Sequence, residues 1–214
     1  MSINLFKDVA EFTIPDDAIV VECGANTGTS TKFMLKHLNS DAKVFAFEPD
    51  PRCIEIFKKN ISDDRCVLYE KAVGDFDGTI NLKLSNGCPD SRGKGYNHID
   101  ASTIKGVEKH QHIKHPWIDY TQSVDVPIIT LDSWFKSIEG DHVDFMWIDV
   151  EGANEELIKG GMSVLSKTDW IYMECFENDP HYDGELSISE ILELLPNYTL
   201  VKQYSCDSLF RRTI

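Results

Sequence analysis

Ile19-Val20-Val21-Glu22-Cys23-Gly24-Ala25-Asn26-Thr27-Gly28-Thr29-Ser30 is the stretch whose reading decides the fold. The apolar run from Ala18 to Val21 is short enough for a buried parallel strand and too short for a buried helix. It ends in an acid and then in glycines alternating with small residues. Phe33, Met34, Leu35 and Leu38 follow at the spacing of one apolar helix face. Strand, tight glycine turn and helix N-terminus together predict the first unit of a nucleotide-type binding fold.

The glycine pattern is Gly24-x-Asn26-x-Gly28, not G-x-G-x-x-G. In a dinucleotide site the middle glycine lets the backbone approach a pyrophosphate. Asn26 stands there instead, and Glu22 just before the turn repels phosphate and suits a cation. S-adenosylmethionine fits both facts, because it has no phosphate and carries an ammonium and a sulfonium. Val44-Phe45-Ala46-Phe47-Glu48-Pro49 reads as the next strand, ending in an acid 20 positions after Gly28. A carboxylate there accepts hydrogen bonds from ribose hydroxyls. That spacing serves NAD equally well.

The rest of the chain alternates strands and helices. Pro51 to Ile61 predicts a helix with Pro at its start. Cys66-Val67-Leu68-Tyr69 predicts a strand, Lys71 to Asp75 a loop, and Gly78 to Leu84 an antiparallel strand. Residues 1–14 suit a short amphipathic helix. Val124 to Ile129 predicts a strand and Leu131 to Ser137 a helix. Val143 to Ile148 and Trp170 to Phe176 predict two more buried strands, the first followed by a helix through Leu157 and Ile158. Ile188 to Leu195 predicts a helix, and Tyr198–Val201 with Ser208–Arg212 a closing antiparallel pair. The whole is an open, mostly parallel α/β sheet flanked by helices, in a single domain over 1–214.

Between about 85 and 123 the composition shifts. Asn86 to Gly95 is rich in turn residues, four of the seven histidines follow (His98, His110, His112, His115), and Trp117 and Tyr120 close the segment. A stretch this long without periodicity predicts a substrate-covering insertion or a linker. The histidine spacing matches no strong metal pattern.

The 214 residues carry 36 acidic and 21 basic side chains, a net charge of −15. Such a surface argues against nucleic acid and against anionic membrane. No apolar stretch reaches the ~20 residues of a membrane span, and the first residues show no signal pattern. The six cysteines form no C-x-x-C pair, as expected of reduced thiols in a cytoplasmic protein.

Four predicted strands end in acids: Glu22, Glu48, Asp149 with Glu151, and Glu174. In such a sheet ligands bind at the carboxyl ends of the strands, near the topological switch point, so five carboxylates line one rim. Methyl transfer to a hydroxyl needs the acceptor held in line with the sulfonium and its proton removed. Asp149, Glu151 or Glu174 suits that proton directly. Alternatively Asp149 and Glu174 hold a divalent cation such as Mg that lowers the hydroxyl's pKa. His181 is either a further base or an ordinary loop histidine. Glu151 is either catalytic or a first-turn acid favourable to a helix dipole.

Val21 to Gly28, Ala46-Phe47-Glu48-Pro49, Ala72-Val73-Gly74-Asp75, Ile129-Thr130-Leu131-Asp132 and above all Ile148-Asp149-Val150-Glu151-Gly152-Ala153 resemble the FkbM-type methyltransferases, a branch of the class I S-adenosylmethionine-dependent enzymes. The resemblance implies a Rossmann-like class I sheet of seven strands. It implies cofactor contacts at Glu22, Gly24, Asn26, Thr27 and Gly28, at Glu48 and Pro49, and at Ala72 and Val73. It also implies O-methylation of a sugar, a glycan or a glycosylated small molecule. Tyr96, Trp117 and Tyr120 are then candidates for stacking on a sugar. Trp147 stands where the family usually has lysine, and Asn154 where it usually has glutamate. Two other readings stand beside this one: an NAD-linked oxidoreductase, and a non-catalytic cofactor-binding domain of a larger glycan-building protein.

Overall fold

The computed structural model describes residues 12–87, 97–107, 115–178 and 181–213. Its strands are β1 (Ile19–Cys23), β2 (Lys43–Phe47), β3 (Cys66–Tyr69), β4 (Ala72–Val73), β5 (Gly78–Asn86), β6 (Asp119–Ile129), β7 (Val143–Ile148), β8 (Thr168–Glu174), β9 (Tyr198–Gln203) and β10 (Asp207–Arg212). Its helices are α1 (Thr29–His37), α2 (Pro51–Asn60), α3 (Leu131–Phe135), α4 (Asn154–Gly160), α5 (Met162–Leu165) and α6 (Ile188–Leu194).

Seven strands form the main sheet in the order β3-β2-β1-β7-β8-β10-β9. β3, β2, β1, β7 and β8 are parallel, and β10 runs antiparallel to both of its neighbours. The apolar runs are continuous because both faces are covered. Alternate residues feed opposite cores: Val21, Phe47 and Met146 pack with Trp134 and Leu157 on one face, and Val20, Val44 and Phe145 pack with Met34 and Trp170 on the other. Phe12 belongs to the second core, edge-on to Phe145 and Trp170 at 5.3 Å each. Residues 12–14 are not helical, unlike the helix expected over 1–14, and residues 1–11 lie outside the described residues.

The helix ends follow local chemistry. Pro51 opens α2, and the Asp50 carboxylate caps it by accepting from Arg52 N. Thr130 caps α3, and a reciprocal Ser187–Glu190 box caps α6. In β1 the burial of Glu22 is complete, and its Oε2 accepts from the Thr31 hydroxyl in α1. Strand and helix are thus tied behind the turn.

A second sheet, β4-β6-β5, departs from the sequence reading. Ala72–Val73 is a short strand rather than a loop, parallel to the end of β6. β6 begins at Asp119, inside the expected insertion, and forms a long antiparallel ribbon with β5. Leu82, Leu84, Val126 and Ile128 give that ribbon an apolar face. Residues 97–107 fold back on the ribbon, where Thr103 pairs with Lys83 of β5, and the Thr103 hydroxyl donates to Glu151 O beyond β7. No described helix is long and apolar enough to cross a membrane.

Two consequences are measurable. Gly24 has φ +86, and a Cβ there would lie 1.7 Å from the Asp149 carbonyl oxygen. Gly24→Ala is therefore expected to cost on the order of 3 kcal/mol, read as a large fall in melting temperature; an unchanged melting temperature would contradict this packing. Burial pushes the Glu22 carboxyl from 4.5 up to about 8. Between those values the unfolded chain releases the proton and the folded chain keeps it, so this group lowers stability as pH rises, by about 1.4 kcal/mol per unit. Glu22→Gln removes that loss. Its stability relative to the wild type should rise between about pH 5 and pH 7 in denaturant titrations, and a pH-independent difference would refute the buried acid.

Candidate active site

The sheet order reverses between β1 and β7, so the crevice at their carboxyl ends is where a ligand belongs. The two strand ends touch there: Asp149 N donates to Cys23 O at 2.8 Å. Above them lies a cleft lined by Gly24, Asn26, Glu48 and Pro49 from the ends of β1 and β2, by Lys71, Ala72 and Val73, and by Asp149, Val150 and Glu151 after β7.

Six of the expected cofactor residues therefore meet at one cleft: Gly24, Asn26, Glu48, Pro49, Ala72 and Val73. Glu22, Thr27 and Gly28 stand outside its lining. Glu22 is sealed behind the turn, and its Oε1 meets no protein donor. Gly28 faces α2, where a Cβ would press on Ile61 and Phe57. Asn26 has φ +49, a left-handed conformation that Asn tolerates. Its backbone N–H donates to Glu48 Oε2 and that of Asp50 to Glu48 Oε1, at 2.7 Å each. Glu48 is thereby held rigidly at the cleft, and burial pushes its carboxyl up to about 7.

Asp149, Glu151 and Glu174 each offer an oxygen within 4.8 Å of the others. Burial raises all three carboxyls, and the charge of Asp149 raises Glu151 and Glu174 further. Such a cluster favours a cation among its oxygens. Asp149 Oδ1 is buried and meets no protein donor.

Glu151 is the most constrained of the three. Its φ is +49, an unfavourable conformation for glutamate. Gly152, at φ +85, leaves no room for a Cβ against Tyr182. Thr103 Oγ1 donates to Glu151 O at 2.7 Å, and the Tyr182 hydroxyl donates to Glu151 Oε2. The Glu185 carboxylate in turn accepts from Tyr182 N at 3.1 Å. Glu174 and His181 lie off the cleft lining. The His181 ring stacks near Phe176 at 4.2 Å.

Sequence reasoning missed the lining contributed by the insertion: Ile99, Asp100, Ser102, Thr103 and Ile104. Ser102 Oγ donates to Asp50 Oδ2 at 2.7 Å, and Arg52 bridges Asp50 to Asn86. The insertion is thus pinned to the residues that follow Glu48. The only signal was a short run of small hydroxyl and apolar residues between polar turns. Tyr182 was missed because nothing in its spacing ties it to Glu151. Tyr120 points inward, its hydroxyl donating to Ala101 O at 2.8 Å. Tyr96, His110 and His112 lie outside the described residues. At the two departures, Trp147 packs on Tyr172 at 4.5 Å, and buried Asn154 donates from Nδ2 to Glu174 O at 2.9 Å.

Comparison with known proteins agrees with this architecture. Residues 22–203 match the family model for the methyltransferase FkbM domain. The 2-O-methyltransferase NoeI of Sinorhizobium fredii is 30% identical over 204 residues, covering 95% of this chain and 81% of that protein. Methyltransferase 1 of Beauveria bassiana is 26% identical over 157 residues, 72% of this chain and 61% of its own length. A crystal structure of the methyltransferase FkbM from Methylobacillus flagellatus superposes with a TM-score of 0.56 at 14% identity; 96% of this chain is covered but only 46% of that one, so the likeness shows a shared fold. The family-model match over residues 22–203, with a relative 30% identical across 95% of this chain, places the chain in the FkbM methyltransferase family, and the seven-stranded sheet with its cleft at the β1/β7 switch agrees.

Proposed function

We propose that this chain is an S-adenosylmethionine-dependent O-methyltransferase whose acceptor is a hydroxyl of a sugar, free, in a glycan or on a glycosylated small molecule. The observation that carries the reading is Glu151: an acid held in a left-handed conformation, clamped by Tyr182 and Thr103 at the cleft wall. A fold keeps such strain where a side chain must be aimed. The printed name of the NoeI relative, a 2-O-methyltransferase, supports oxygen as the acceptor atom.

The donor supplies an electrophilic methyl on a sulfonium. Glu48 suits the ribose hydroxyls, and the turn from Gly24 to Asn26 suits the methionine end, backed by Glu22. Asp149 and Glu174 provide negative charge beside a cation. Glu151 orients the acceptor hydroxyl and takes its proton, while Tyr182 fixes which of the two carboxylate oxygens stays open. His181, one residue before Tyr182, serves acceptor binding in this scheme rather than proton transfer. The excess of acids, with a net charge of −15, disfavours a phosphate-bearing acceptor such as nucleic acid. The described cysteines are all free, which suits a reducing cytoplasm.

A divalent cation is the second reading, favoured by the spacing of the three acids and the unpartnered Asp149 Oδ1. Three oxygens are fewer than the six that Mg takes, so the acceptor and water would complete the set. Undiminished activity in excess chelator would remove this reading.

Incubation with labelled methyl donor and a panel of neutral sugars and glycans, read by mass, tests the activity. A product heavier by one methylene unit is expected. Glu151→Gln should lower kcat by about 10²–10⁴-fold while donor affinity stays unchanged. Near-normal turnover by that variant would show that Glu151 is not the base.

A further inference from the structure

Five rings form a continuous wall beside the cleft. His98 meets Trp117 edge-on at 4.7 Å, Trp117 meets His115 at 5.5 Å, His115 meets His181 at 6.2 Å, and His181 lies on Phe176 at 4.2 Å. All five side chains are partly exposed. They come from three places in the chain: the insertion, the start of the β6 ribbon, and the segment after β8. Two of the rings adjoin residues of the site. His98 directly precedes Ile99 and Asp100, which line the cleft. His181 directly precedes Tyr182, whose hydroxyl holds Glu151.

We propose that this wall is the acceptor subsite and that it takes one neutral sugar ring. The inference rests on the methyl-transfer reading for its direction, since His98 adjoins the cleft lining at Asp100 and His181 precedes the residue that holds the proposed base. Flat rings with carbon faces and nitrogen-bearing edges match the chemistry of a pyranose, which has a C–H face and a rim of hydroxyls. An aromatic contact of this kind contributes on the order of 1 kcal/mol per ring. The charge around it selects further. Asp100 lies at one end, 3.8 Å from the His98 ring, and the Lys105 ammonium is engaged by Glu156 at 2.7 Å. A sugar carrying a carboxylate or phosphate meets repulsion there, and a neutral sugar does not. The recognition surface is thus Trp117 with histidines from two segments, while the Tyr120 hydroxyl is turned to Ala101 O.

The test is saturation-transfer NMR on the full chain with S-adenosylhomocysteine present. The probes are the methyl glycosides of glucose, galactose, mannose and N-acetylglucosamine, alongside glucuronate and glucose 6-phosphate. Contact with ring C–H protons of at least one neutral glycoside, and none with the two anions, is the expected result. Trp117→Ala should weaken that contact about tenfold, and Trp117→Phe should restore most of it. Phe176→Ala, at the other end, gives a second reading if Trp117→Ala does not fold. S-adenosylhomocysteine affinity should stay the same in every variant. The proposal is overturned if the wild type contacts none of the neutral glycosides, if the anions bind as well as the neutral sugars, or if the folded variants bind the glycosides as the wild type does. Failure of S-adenosylhomocysteine to bind the wild type is a separate result. It would sink the methyl-transfer reading, while loss of sugar contact in Trp117→Ala would still support the wall.

Discussion

The carbonyl oxygen of Asp149 occupies the space that a side chain on residue 24 would need. That contact joins the end of β1 to the end of β7 and brings two separate acidic turns, 125 positions apart in sequence, against one cleft. Every other feature of the site follows from it. The turn must be left-handed at Gly24, Asn26 and Gly28 to clear β7 and enter α1. Asn26, so placed, presents its N–H to Glu48 and fixes the second carboxylate. On the other side the chain leaves β7 through Glu151 and Gly152, both at positive φ, before α4 begins.

Concentrating carboxylates at such a junction is costly. Glu22, Glu48, Asp149, Glu151 and Glu174 are all pushed toward their neutral forms by burial. A protein interior tolerates this arrangement when function draws on it. In the proposed function a cationic donor relieves the repulsion when it binds, so affinity and charge are coupled. In the proposed function the ring wall offers the acceptor aromatic surface, and Glu151 receives its hydroxyl proton.

The main sheet was legible because its strands are continuous apolar runs with period-breaking glycines and acids at their ends. β1, β2, β7 and β8 lie where those runs predict them. The cleft at the β1/β7 switch was legible for the same reason, since strand ends define it. The second sheet was not. Ala72–Val73 is two residues long, and the start of β6 at Asp119-Tyr120-Thr121-Gln122 is polar because that end of the ribbon lies in solvent. The acceptor side was least legible, because its residues reach one another only through folding. Tyr182 finds Glu151, and His181 finds His115, across 31 and 66 positions. Trp147 and Asn154, the two departures from the family's usual residues, have contacts of their own: one packs on Tyr172 and the other donates to the Glu174 carbonyl at the end of β8.

The central claim is that the β1/β7 cleft binds a cationic methyl donor rather than a dinucleotide. Calorimetric titration of the wild-type chain with S-adenosylmethionine and, separately, with NAD measures it directly. The account predicts saturable one-to-one binding of S-adenosylmethionine and no heat from NAD. Binding of NAD without binding of S-adenosylmethionine would contradict it.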